Sequence, residues 1–403
     1  MIKRTARYLS AAALAAALTL SVAAFPARTD PPASADAGED AVSVTVTMIR
    51  ENVNDRKSAV TVPWDPEALE GKTFSILGDS ISTYRNISNR AGSRWSNTTI
   101  SRGPAWYSDL KPKLQDTDTW WIQLADDLKL RLLVNNSWSG STYYQTRVKT
   151  KGAYYDRCVQ LHDNTGINDG AEPDIIFVYL GANDFTYYPD TLGTADIDYD
   201  SLFPPSENGV LTWRTPLSTL EAAAVVLYRI RARYPMAEVY VLEMMYRGDL
   251  TESSEEIFRQ FNRDLETVAE HFGAVPIPFP EGVITRESTK RYYLDGRLHP
   301  NELGMDVITE VVKKAVLENT QWKTEPYHQV TLELDGVLAD YGTDRLVREG
   351  QPFNTALTAE KEGKTLSVRV TADGEDITDK VCVDGSVSIP AVTGEVTITA
   401  SAE

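Results

Sequence analysis

The chain is poor in the residues that build disulfide frameworks and metal centres, and it is short of positive charge. Cys158 and Cys382 are the only cysteines, and 403 residues hold only four histidines. Two cysteines cannot form a framework of bridges. They fall in different expected domains, so two reduced thiols are expected, although an interdomain disulfide is compatible with export. Neither lies in a metal-binding or thiol-catalytic motif. Lys and Arg number 40 against 58 Asp and Glu, a formal net charge of −18. That balance argues against nucleic acid or an anionic membrane as a partner held by bulk electrostatics. Composition is otherwise ordinary, with 42% hydrophobic residues, which excludes a disordered or fibrous chain.

Long apolar runs are missing too, except near the start. Lys3, Arg4 and Arg7 precede an Ala- and Leu-rich stretch from Leu9 to Phe25. Small residues suited to cleavage follow at Val22-Ala23-Ala24 or Ala33-Ser34-Ala35. This pattern is that of an export signal, shorter than the roughly 20 apolar residues that span a bilayer. The expected location is therefore secreted or cell-surface.

Four segments follow from composition: a signal peptide at 1–25, a flexible linker at 26–66, a compact main domain at 67–322 and a small β-module at 325–403. The linker contains one β-branched run, Val42 to Met48. In the main domain, Phe74–Leu77, Leu132–Val134, Ile175–Leu180 and Val239–Leu242 read as buried parallel strands. Between and after them, Trp120–Leu128, Leu217–Tyr234, Glu255–Phe272 and Glu302–Leu317 carry apolar residues at helical spacing. Trp120 and Trp121 are expected in the core. The alternation predicts a three-layer α/β/α sheet with right-handed crossovers. After residue 325, short β-rich runs at Val330–Leu334, Thr365–Val370, Ser386–Ile389 and Val396–Ala400 are separated by Gly and Asp turns. They predict a small all-β domain, either a spacer or cap or a glycan- or wall-binding module.

The chemistry lies at the ends of the strands. Ligands of open α/β sheets bind beyond the strands' carboxyl ends. The first strand runs into Gly78-Asp79-Ser80, where a helix start would favour charge on the serine oxygen. The second runs into Asn136-Ser137-Trp138-Ser139-Gly140-Ser141, whose glycine lets a backbone N–H approach a reacting oxygen. The third runs into Gly181-Ala182-Asn183-Asp184, whose Asn amide can donate to an oxyanion. Asp295-Gly296-Arg297-Leu298-His299-Pro300 precedes the last helix and supplies the general base that a serine hydroxyl needs. His162, His271 and His328 are poorer candidates for that base. Singly each segment is a common turn or cap; in this order they form a specific set.

The set resembles the SGNH (GDSL-type) hydrolase superfamily, whose four blocks contribute Ser, Gly, Asn and His, here Ser80, Gly140, Asn183 and His299. The resemblance spans about Lys72 to Leu317. It implies a flavodoxin-like fold, ester hydrolysis without metal or other cofactor, and an acyl-enzyme intermediate. The family usually places its Asp three residues before the His, whereas Asp295 stands four before His299. Either a bulge at Gly296 absorbs the extra residue and Asp295 completes a triad, or a backbone carbonyl orients His299 in a dyad. The oxyanion hole would combine the N–H groups of Ser80 and Gly140 with the Asn183 side chain.

Aromatic residues flank these blocks: Trp95, Trp106, Tyr107, Trp138, Tyr143, Tyr144, Tyr187 and Tyr188. Rings with polar tips suit sugar contact, though they also suit a core. The long loop from Tyr187 to about Trp213 is expected to be functional, for instance as a lid. Its Asp196, Asp198, Asp200 and Glu207 have a superficial calcium-loop spacing, but Ser201 and Pro204-Pro205 break the pattern, so a solvated acidic loop is expected. The expected substrate is a small-molecule or polysaccharide ester, with short-acyl, O-acetyl groups on carbohydrate favoured. A GDSL-type lipase or lysophospholipase is the alternative enzyme. A catalytically idle surface protein attached through the β-module is the alternative of another class.

Overall fold

The computed structural model describes residues 43–47, 59–63, 67–84, 105–107, 114–144, 153, 156–163, 170–205 and 211–403. The expected signal peptide, most of the linker, Trp95 and Glu207 lie outside these residues. The chain divides into two compact units: one of residues 1–110, 131–245 and 250–279, the other of 111–130, 246–249 and 280–403.

In the first unit, β1 (Ser43–Thr47) and β2 (Ala59–Pro63) form an antiparallel pair, so the β-branched run in the expected linker is a strand with a partner. The main sheet contains β3 (Thr73–Gly78), β4 (Arg131–Ser137), β5 (Ile175–Tyr179), β6 (Glu238–Leu242) and β7 (Val275–Ile277). All four pairings are parallel, in the order β4-β3-β5-β6-β7. This is the flavodoxin-like order, whose reversal falls at β3. Every residue of β3 and β5 is buried, which is why both read as unbroken apolar runs.

The helices follow from their caps and periodicity. The short α2 (Ala182–Tyr187) leaves β5, and α3 (Tyr199–Leu202) is a single turn capped by Asp198. Ser218 caps α4 (Thr219–Arg233), and a capping box of Thr251 and Ser254 starts α5 (Glu252–His271). On α5, Phe258, Phe261, Leu265 and Val268 recur on one buried face.

The middle of the long loop is pinned by rings and by charge. The Tyr199 ring stacks on His271 with centroids 3.7 Å apart, and Phe203 lies 4.3 Å from Tyr228. Arg214 forms a two-pronged ion pair with Glu221 at 2.8 and 2.5 Å. His271 ends α5, where the chain turns back into β7, so this anchor sits at the sheet edge opposite the strands' carboxyl ends. Buried Leu202, between half-buried Tyr199 and Phe203, holds this part of the loop there.

The second unit contains α1 (Trp120–Asp127), α6 (Thr289–Tyr292) and α7 (Glu302–Asn319), followed by the β-rich segment. Trp120 and Trp121 are fully buried, as expected. Thr309 on α7 donates to Gln123 on α1 at 2.7 Å. Nine strands follow: β8 (Tyr327–Asp335), β9 (Val337–Ala339), β10 (Arg345–Arg348), β11 (Phe353–Ala359), β12 (Leu366–Ala372), β13 (Glu375–Asp376), β14 (Cys382–Val383), β15 (Ser386–Ile389) and β16 (Val396–Ala402). A short α8 (Thr378–Val381) interrupts them. They form two sheets, β10-β8-β16-β12-β13 and β14-β15-β11-β9. Between the sheets lies a core that includes Val330, Phe353, Leu357, Val370, Val387 and Ile398. Each such side chain contributes about 1.5–3 kcal/mol by leaving water. The α/β class with a following all-β segment is as the sequence predicts. Both cysteines are free thiols.

Candidate active site

Strand register sets the height of the first three blocks. Gly78, the last residue of β3, pairs with Ser137 of β4 and Tyr179 of β5. Ser80, Gly140 and Asn183 therefore all lie just beyond the carboxyl ends of three adjacent strands.

Ser80 is 4% exposed and opens a single 3-10 turn, Ser80–Ser82. The expected helix start is not there. Thr83 closes the turn at once by donating its Oγ1 to the Ser80 carbonyl at 2.8 Å, and one turn has too few aligned peptides for a macrodipole. Asp79 caps it, accepting the Ile81 N–H at 3.0 Å.

The glycine block is tied to this turn. Trp138 N–H donates to the Gly78 carbonyl at 3.1 Å, and Asn135 Nδ2 donates to the Ser82 carbonyl at 2.9 Å. Gly140 has φ +78°, within a turn closed by Ser141 N–H on the Trp138 carbonyl at 3.0 Å. The Asn183 amide donates to the Ser141 carbonyl at 2.9 Å, with a longer contact of 3.4 Å to Asp79 Oδ2. Sequence reasoning placed Ser80, Gly140 and Asn183 at one edge of the sheet, and the structure brings them together there.

Two buried charged residues that the sequence did not reveal hold this edge. Arg157, almost fully buried, donates through Nη2 to the carbonyls of Gly78 (3.1 Å) and Asn136, and through Nη1 to Ser141 Oγ. One guanidinium thus grips the ends of β3 and β4 and the residue after Gly140. Burial pulls its pKa down to about 9, opposed by the nearby Cys158 and Asp79. Its guanidinium carbon lies 5.1 Å from the Trp138 ring centroid. Asp184, next to Asn183, accepts the N–H groups of Tyr143 at 3.0 Å and Tyr144 at 2.9 Å, with Thr219 Oγ1 at 3.4 Å. Burial pushes this carboxyl up to about 7 against the pull of those hydrogen bonds. Its adjacency to Asn183 was the one available signal; Arg157 offered none, because its role exists only in three dimensions.

Asp295 and His299 belong to the second unit and meet there. Asp295 Oδ2 is 2.6 Å from His299 Nδ1, while Oδ1 accepts the backbone N–H groups of Arg297, Leu298 and His299 at 3.0, 2.8 and 3.1 Å. Gly296, at φ +70°, provides the left-handed step that absorbs the extra residue. Burial alone would raise the Asp295 pKa, but the His299 ring and the three amides outweigh it and hold the carboxylate well below its usual range. Leu294 N–H donates to the His299 carbonyl at 2.8 Å, and Gly248 N–H to the Arg297 carbonyl at 2.9 Å. Elsewhere, His162 bonds Tyr234 Oη at 3.0 Å and His271 is stacked on Tyr199, so both are occupied in packing.

Tyr143 and Tyr107 are buried, and Trp106 meets Tyr107 edge-on at 4.7 Å. Trp138 is half-buried, and Tyr187 is exposed.

The family profile of GDSL-like lipases/acylhydrolases matches residues 72–271, a stretch that holds Ser80, Gly140 and Asn183 and stops before Asp295. Among solved structures, the chain is similar to a candidate GDSL-like lipase from Bacteroides ovatus (23% identity, 62% of this chain, 100% of that one, TM-score 0.40). It is similar to a second from Bacteroides uniformis (21% identity, 62% and 97%, TM-score 0.41). An acetyl xylan esterase from Geobacillus stearothermophilus is a more distant match (14% identity, 62% and 96%, TM-score 0.36). No curated protein shows significant similarity to the chain.

Proposed function

We propose, on the premise that this chain carries a domain of the SGNH (GDSL-type) hydrolase superfamily and hydrolyses esters, that it is a serine esterase removing short acyl groups from carbohydrate outside the cytoplasm. The observation that carries the reading is the meeting of Ser80, Gly140 and Asn183 just past the ends of β3, β4 and β5. That is where an open parallel sheet presents its chemistry.

Ser80 is the nucleophile in this reading and His299 its base. Ser80 Oγ bonds to the ester carbonyl carbon as its proton passes to the imidazole. The backbone N–H groups of Ser80 and Gly140 and the Asn183 amide stabilise the tetrahedral oxyanion, each donor worth about 2.7–4 kcal/mol. Collapse breaks the bond to the alcohol, which takes the proton from His299 and leaves an acyl-enzyme. Water then attacks by the same route and releases the acid. Asp295, hydrogen-bonded to Nδ1, fixes the tautomer and stabilises the imidazolium without taking the proton.

A short acyl group suits the surroundings. The buried residues of the three blocks are mostly polar, among them Asp79, Ser82, Thr83, Asn135, Asn136, Ser137, Ser141, Thr142 and Asp184. These residues brace the turns that carry the blocks, and the sequence beside them holds no extended apolar stretch of the kind a long hydrocarbon chain needs. The half-buried Trp138 presents a ring beside Gly140 for a sugar face. The basic, apolar N-terminal stretch supports action after export.

The test compares acid release from p-nitrophenyl acetate, a long-chain p-nitrophenyl ester and an acetylated polysaccharide, by the protein and its Ser80→Ala variant. Ser80-dependent release favouring acetyl substrates is expected. Retained turnover in Ser80→Ala removes the nucleophile assignment, and a preference for the long chain moves the substrate to lipid.

A further inference from the structure

We propose that the β-rich segment after residue 325 positions the catalytic imidazole, acting on the His299 loop through Tyr292. The inference rests on His299 as the base of the proposed esterase.

The loop from Tyr292 to Asn301 is closed at its neck. Tyr292 accepts the Asn301 N–H at 2.9 Å, Asn301 Nδ2 donates to the Arg291 carbonyl at 2.6 Å, and Tyr293 pairs with Pro300. His299 and Asp295 both sit inside this closed loop. The neck is gripped from the β-rich segment. Buried Tyr292 donates its hydroxyl to the Gly342 carbonyl at 2.9 Å. Gly342 approaches so closely that a Cβ there would lie 2.5 Å from the Leu303 carbonyl oxygen and 3.1 Å from the Tyr292 ring. Only glycine fits between the neck and the start of α7.

The same segment is fixed along α7 by buried charge. Lys313 Nζ lies 2.7 Å from both Asp127 and Glu310. Glu310 also pairs with Arg345 Nε at 3.1 Å and accepts the Leu346 N–H at 2.7 Å. Hydrogen bonds of this kind hold one geometry, unlike a flexible tether. The segment's three aromatic residues are spent internally. Tyr327 donates to the Asp127 carbonyl at 2.9 Å, Tyr341 lies 4.6 Å below Arg345, and Phe353 is in the core. None of the three is exposed. The segment serves the reaction by fixing where α7 and the neck begin.

The experiment uses the full chain and p-nitrophenyl acetate. Tyr292→Phe removes only the hydroxyl, and it should lower kcat on the order of tenfold with KM and melting temperature nearly unchanged, because small displacements of a reacting group are costly. The rate at which an organophosphonate labels Ser80 should fall by the same factor. Gly342→Ala should lower kcat by at least as much, with a lower melting temperature from the clash with the Leu303 carbonyl. Val383→Ser, at an exposed site of the same segment, should leave kcat unaltered. Wild-type kcat in Tyr292→Phe overturns the proposal, as does a loss of kcat traced entirely to a smaller folded fraction. Ser80→Ala, measured alongside, separates this claim from the esterase reading: it should be inactive whatever Tyr292 does.

Discussion

Asp295 and His299 stand four residues apart in sequence, yet the carboxylate reaches the ring nitrogen at 2.6 Å and also accepts the His299 backbone N–H at 3.1 Å. One oxygen orients the imidazole while the other fixes the turn that carries it. Catalysis and loop geometry therefore depend on the same side chain.

Asp295→Asn should accordingly lower kcat on the order of 10³–10⁴-fold, with the wrong tautomer of His299 favoured. Steady-state kinetics on a small ester checks this. The depressed pKa has its own signature. Because the folded value lies below the unfolded one of about 4, the stabilisation is present above that pH and is lost as pH falls further. Acid unfolding should begin at higher pH in the variant.

Arg157→Met should weaken both the fold and turnover. It leaves the Gly78 and Asn136 carbonyls and the Ser141 hydroxyl without the guanidinium that grips them. A cost of about 2–5 kcal/mol is expected for breaking a buried charged network, read from denaturant melts. Arg157→Lys should recover little, because a single ammonium cannot reproduce the planar fork.

Asp184 predicts a pH dependence of the opposite sign to Asp295. Its folded pKa, about 7, lies above the ordinary carboxyl value of 3.8. Between those values the folded protein keeps a proton that the unfolded chain has released. This group's contribution therefore falls as pH rises from about 4 to about 7, then levels off. Asp184→Asn has no such slope. Its melting temperature relative to the native protein should rise across that window, and a constant difference would refute the assignment.

Gly181 should not tolerate alanine. Its φ is +112°, and an added Cβ would sit 3.1 Å from the Phe261 ring. Gly181→Ala should cost about 1–3 kcal/mol and, by shifting Asn183, lower kcat more than it raises KM.

The parallel strands were legible because strands buried on both faces are apolar at nearly every position, as in Ile175–Tyr179. Three residues, one of them Pro276, are too few to announce β7, and Pro fits at a sheet edge. β11 was missed for a different reason. Its inward and outward positions do alternate, but Thr355 sits on the buried side and Ala356 on the open one, which blurs the hydropathy contrast. Ser80, Gly140 and Asn183 were readable because each follows a strand by a few residues. Arg157 and Asp184 were not, since the groups that hold each of them lie far away in sequence. Loop length suggested a functional segment such as a lid, and Tyr199 and Phe203 pin its middle away from the strands' carboxyl ends.

The placement of β16 sets an order of assembly. It lies between β8, its parallel partner, and β12, its antiparallel one, although it is the last of the three in sequence. Neither earlier strand pairs with the other, so no strand pairing links them until Val396–Ala402 has been synthesised. A chain halted before Val396 would carry Ser80, Asp295 and His299 in full and still lack the strand that unites the sheet beside α7. Damage to this enzyme can therefore begin far along the sequence from every residue that touches an ester.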